Sequence, residues 1–189
     1  VIVGAQGSGN VTLASGEDFT DGLLNQDGNT GIGGGDIVMG GTAKVQTESG
    51  NILADAADDF LVGVLDADSD VDDIRGDVTT FSRTGSTLDT NGPDLNIIAD
   101  NLVMTSGGTI GISGDPIETK ANTLTANSIG SMFFFNIGSV IANLVSRDGS
   151  IDLGATEDII LGGVHAANGQ VILSAGRSIL SQSSTPTHI

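Results

Sequence analysis

Apolar and polar residues alternate behind a recurring glycine. Counting from Gly9, Gly35, Gly50, Gly149 or Gly169, the second residue on is Val11, Ile37, Ile52, Ile151 or Val171. The fourth is Leu13, Met39, Ala54, Leu153 or Leu173, and the sixth is small: Ser15, Gly41, Ala56, Ala155 or Ala175. The tenth is apolar again, as Phe19, Val45, Phe60, Ile159 or Ile179. A period of two is that of a short strand with one face inward. The small residue fits a corner, and the tenth residue opens a second strand. Each unit therefore reads as strand, corner, strand and a Gly/Asn/Asp-rich return such as 162–169. A unit of this size cannot cover its own apolar side, whereas stacked units cover each other. The expected fold is all-β, a parallel β-helix or β-solenoid.

Fainter copies begin near Pro93, Gly108 and Asn122, and 65–91 holds no clean copy. The spacing predicts roughly eight to ten coils and a rod of roughly 40–50 Å at one strand spacing per coil. Residues 1–182 form one solenoid domain, and 183–189 a polar tail or linker. If the units at Gly35 and Gly50 are adjacent coils, Lys44 lies over Asp59. The units at Gly149 and Gly169 likewise place Glu157 over Arg177, and both are expected as cross-strand ion pairs.

Composition narrows this picture. Gly is 29 of 189 residues, as a fold with several tight corners per coil demands, and Pro is only 3, as paired strands require. A hydrophobic share of 38% feeds a thin continuous core. The absence of cysteine excludes disulfide scaffolds and thiolate metal sites. A net charge of −18 opposes binding to nucleic acid or anionic membranes and favours divalent cations. The apolar run 129–145 is too short and too polar for a membrane span, which argues against membrane insertion. The chain starts at Val1 within a strand-like run and ends in SQSSTPTHI, as processed material or a piece of a longer array would.

Runs such as GSIDLGATEDIILGG and GQVILSAGRSILSQ resemble the repeats of filamentous-haemagglutinin-like and autotransporter-passenger β-helix proteins of Gram-negative bacteria. The resemblance extends, patchily, over about 9–182. It implies a secreted or cell-surface protein that serves adhesion or forms fibres.

Three stretches carry candidate chemistry. In DADSDVDDIRGD, the residues Asp66, Asp68, Asp70, Asp72 and Asp73 are candidate Ca²⁺ ligands, since alternate carboxylates converge on a hard cation when the chain curls. Val71 stands where an EF-hand needs glycine, and Asp77 where it needs glutamate, so the loop is not an EF-hand. No other cofactor is implied. Arg75, Gly76 and Asp77 form an RGD tripeptide, a candidate motif for a host or cell-surface receptor; the plainer reading is a charged loop in which Arg75 neutralises neighbouring aspartates. Phe133, Phe134 and Phe135 are consecutive, so a straight strand must turn at least one outward, to be covered by a loop or by another chain. With the apolar Val1, Ile2 and Val3, they form a candidate assembly interface.

An enzymatic reading is disfavoured. Polysaccharide-cleaving β-helices gather acids and bases in one groove, whereas the six basic residues here are spread at 44, 75, 83, 120, 147 and 177. His165 with Asp158 suggests a relay, but no nucleophile motif accompanies them. The expectation is a non-enzymatic extracellular fibre subunit or segment that adds head to tail. The alternative is a stalk or display module of a large adhesin with a Ca²⁺-stiffened loop.

Overall fold

The computed structural model describes residues 1–16, 35–70 and 74–182. Among them there are seventeen strands and no helix. In chain order these are β1 (Ile2–Ala5), β2 (Val11–Ala14), β3 (Ile37–Val38), β4 (Lys44–Thr47), β5 (Ile52–Ala56), β6 (Phe60–Val62), β7 (Val64–Asp66), β8 (Val78–Ser82) and β9 (Thr87–Asp89). There follow β10 (Ile97–Ser106), β11 (Ile117–Ser128), β12 (Met132–Asn136), β13 (Val140–Ser146), β14 (Ile151–Ala155), β15 (Ile159–Ala166), β16 (Val171–Ala175) and β17 (Ile179–Ser181).

Among the described residues the strands pair in parallel, and the chain winds as a β-solenoid with fewer turns than the eight to ten expected. One face stacks β1, β4, β7, the first half of β10, the first half of β11, β12, β14 and β16. A second stacks β2, β5, β8, the second halves of β10 and β11, β13, β15 and β17. A third, narrower face holds β3, β6 and β9 and continues through Ile110 into Met132. Eight layers at about 4.8 Å give a rod of about 34 Å, shorter than the spacing predicted.

The core is a set of columns. On the second face Ile52, Val78, Leu102 and Leu124 lie one over another, nearly free of solvent. Beside them Ser82, Ser106, Ser128 and Ser146 form a buried ladder at the corner. Ser146 Oγ donates to the carbonyls of Gly130 and Gly149 at 2.9 Å, and Ser106 Oγ donates to Gly85 and Thr109 at 2.9 and 3.0 Å. These hydroxyls bond turn carbonyls at the corner; those of Gly85 and Thr109 also accept the backbone N–H groups of Gly108 and Thr87.

The expected register is only partly right. Glu157 and Arg177 do pair, at 3.6 Å. Lys44, by contrast, lies opposite Val64, and its ammonium meets Asp66 Oδ2 at 2.7 Å; Asp59 accepts from the backbone N–H of Ser86 instead. The units at Gly35 and Gly50 are successive sides of the solenoid, so fifteen residues do not close a coil. Val78 lies over Ile52, Leu102 over Val78, Leu124 over Leu102 and Ile141 over Thr123, so a coil shortens from 26 residues to 24, 22 and 18. The stretch without a clean copy, 65–91, nevertheless supplies β8 and β9. The copy at Gly108 is only half a strand. Ile110 enters the core, but Gly111 and Gly114 adopt left-handed φ of 62° and 91°, which throws 112–116 outward as a small hairpin closed between Ile112 and Asp115.

Candidate functional site

The acidic loop is built into the wall. Asp66 is buried, and besides meeting Lys44 its Oδ1 accepts from the Asp68 N–H at 3.0 Å. Asp68 Oδ2 meets Arg75 Nε at 3.0 Å. Asp70 is exposed, while Asp72 and Asp73 lie outside the described residues. Among the described residues no three acids or histidines are gathered closely enough to share one ion.

The RGD tripeptide follows the same wall. Gly76 packs on Gly50 at a corner where an added Cβ would collide with the Gly50 carbonyl. The Asp77 N–H donates to Asn51 Oδ1 at 2.9 Å, and Asp77 Oδ1 accepts from the side-chain amide of Asn101 at 2.9 Å and its backbone N–H at 3.2 Å. Asn51 N–H bonds Asn10 Oδ1 in turn, at 2.8 Å. Asn10, Asn51, Asp77 and Asn101 are thus one ladder holding a corner through four coils. The Arg75–Asp68 pair is the neutralisation that the charged-loop reading predicts.

The phenylalanines divide as strand alternation requires. Phe134 is a core residue, 3% exposed, so its place in the assembly interface is corrected: it faces inward between Ile117 and Leu153. Phe133 and Phe135 face out. Phe133 is half-buried beside the 112–116 hairpin, and the Phe135 ring lies over Gly154, which has no side chain to displace it. With Ile112, Pro116 and Asp152 these rings line a cavity of about 190 Å³. Val1, Ile2 and Val3 are all exposed, at the start of β1, which among the described residues pairs on one side, with β4.

Two arrangements escaped the sequence reading. Arg83 and Arg147 come to one groove of about 330 Å³, with Thr105, Asn127, Ile129 and Val145. The basic residues are therefore less dispersed than their spacing implies, although Arg83 is engaged by Asp55 through bonds of 2.9 and 2.7 Å. His165, on the outer side of β15, is exposed and about 20 Å of extended chain from Asp158.

The second is a carboxyl cluster beside the hairpin: Asp89, Asp94, Asp115 and Glu118. The loops 90–96 and 112–116 leave the wall at the same corner in successive coils, between the third face and the first. Asp89 Oδ1 accepts from the side chain of Asn96 and from the Asn91 N–H at 2.8 Å. Glu118 stands on β11 opposite Phe135 and is 8% exposed. Its burial, with Asp89, Asp115 and Asp94 close by, pushes its carboxyl up to about 7. The carboxyl of Asp115 is also raised, by burial first and then by the charge and hydrogen bond of Asp89. No sequence motif marks these four, because only stacking of unequal coils brings them together.

No protein-family model, curated protein or solved structure matches this chain. Among the described residues no helix is long and apolar enough to cross a membrane.

Proposed function

We propose that this chain is a structural β-solenoid, a subunit or segment of an extracellular bacterial surface fibre that extends head to tail. The observation that carries this reading is the change of exposure along single columns. Ile159 is fully buried, but Ile179, next in its column, is 47% exposed. At the other end, Val45 is 3% exposed and its neighbour Val3 44%. Among the described residues, the inward rows of the outermost strands are thus covered on one side only. A further coil laid on either edge would pair the open backbone groups and cover those side chains, whether it came from the same polypeptide or from a second copy. Head-to-tail contact of this kind is heterologous and does not close, so it yields open filaments.

Electron microscopy of the purified chain, with Ca²⁺ and with EDTA, tests the proposal. Filaments whose width is that of one rod are expected. Short separate rods in both conditions would overturn end-to-end addition and favour the alternative, a stalk module within a larger adhesin. Filaments lost in EDTA would place a cation at the joint.

A further inference from the structure

The carboxyl cluster has an unusual balance. Asp89 Oδ2 and Glu118 Oε2 are buried and have no hydrogen-bond partner. An ionised carboxylate in that state is costly, and two carboxylates in contact do not both stay ionised cheaply. The groups facing this point come from every neighbouring element: Asp89 from the end of β9, Asn91, Asp94 and Asn96 from the loop 90–96, Asp115 from the hairpin, Glu118 from β11, and Phe135 from β12. The bases nearest the acidic loop, Lys44 and Arg75, are committed to Asp66 and Asp68.

We infer that this cluster is a proton-held clasp: Asp115 donates a proton toward Asp89 across the loops of two successive coils, Glu118 is held neutral behind them, and the 112–116 hairpin is pinned to the wall in acid and loosened as the pH rises. A proton on Asp115 supplies a donor to Asp89, which two ionised carboxylates lack. A proton on Glu118 removes the buried charge. The raised Asp115 and Glu118 carboxyls agree with this geometry. Loosening has a visible consequence, because Ile112, Ser113, Gly114 and Pro116 form one side of the cavity over Phe133. The clasp is therefore also a pH-dependent cover for the outward aromatic row.

The direction follows from linkage. Unfolded Glu118 titrates near 4.5 and folded Glu118 at about 7, so between those values the folded chain binds more protons. The contribution of Glu118 is fully present below about pH 4.5 and is lost as the pH rises through about 7. The experiment compares thermal unfolding from pH 4.5 to 8 for the unaltered chain, Glu118→Gln, Asp115→Asn and the control Glu157→Gln, with hydrogen exchange across 112–116. The unaltered chain and the control should lose about 5 °C more than Glu118→Gln over this range. Asp115→Asn, which keeps a donor facing Asp89 at every pH, should hold the hairpin protected at pH 8. Equal pH slopes in all four proteins would overturn the clasp. So would millimolar Ca²⁺ that restores stability at pH 8 only where Glu118 is intact, since the cluster would then be a cation site. Should Glu118→Gln fail to fold, Asp115→Asn alone decides.

Discussion

Gly76 and Asp77 show how a residue's role depends on the coil above it. Gly76 lies where the backbones of two corners touch, and Asp77 holds the third rung of a four-coil Asn/Asp ladder. Gly76→Ala must push two corners apart and should cost about 2 kcal/mol or more in urea unfolding. Asp77→Asn keeps the acceptor and should be nearly neutral. Asp77→Ala removes its two bonds to Asn101 at an exposed corner, where water replaces them, and should cost about 1 kcal/mol or less. If the tripeptide is a receptor motif, Asp77→Glu should reduce cell attachment; undiminished attachment would remove that reading.

At the scale of elements, β12 is the most informative. It joins two faces, with Met132 continuing the third and Phe134 continuing the first, because the five residues 112–116 that part these positions in the coil before have dropped out. Alternation then fixes which phenylalanine is core. Phe134→Ala should lose about 3–5 kcal/mol, by thermal or urea unfolding. Phe135→Ser should change stability little, and it is the variant that tests this row as an assembly surface, since Phe134→Ser would unfold the chain first. The serine ladder behaves as a unit of the same kind. Ser146→Ala takes the hydroxyl from the Gly149 carbonyl, while Gly130 keeps Ser128 as a donor, and should cost about 1 kcal/mol in the same assay.

For the whole molecule the governing quantities are the free edges and the net charge of −18. Ile179→Asp places a charge on the inward row of the last strand and should abolish filaments while sparing the rod, as electron microscopy and light scattering would record. Like charge repels along and between rods, so raising NaCl from about 20 to 300 mM should speed assembly and raise the melting temperature. A decrease on either count would mean that attraction between opposite charges governs the contact.

The fold class was legible in the chain because a period of two behind glycine corners is a local property, imposed by strand geometry on each unit. One ion pair, Glu157–Arg177, was legible too, because the last coils repeat evenly. That at least one of the three phenylalanines turns outward followed from alternation alone; that Phe134 is the one in the core did not. The register of the earlier coils was not available, since a side and a coil begin with the same glycine signal. Only the stacking decides that Gly50 follows Gly9 on one face while Gly35 starts another. Everything that depends on register was settled by the tertiary structure: the Lys44–Asp66 pair, the Asn/Asp ladder through the tripeptide, the groove between Arg83 and Arg147, and the carboxyl cluster. Coils of 17 to 42 residues carry no fixed period from which such neighbours can be counted. Their chemistry exists only once unequal coils are laid in contact, where burial changes what a carboxylate costs.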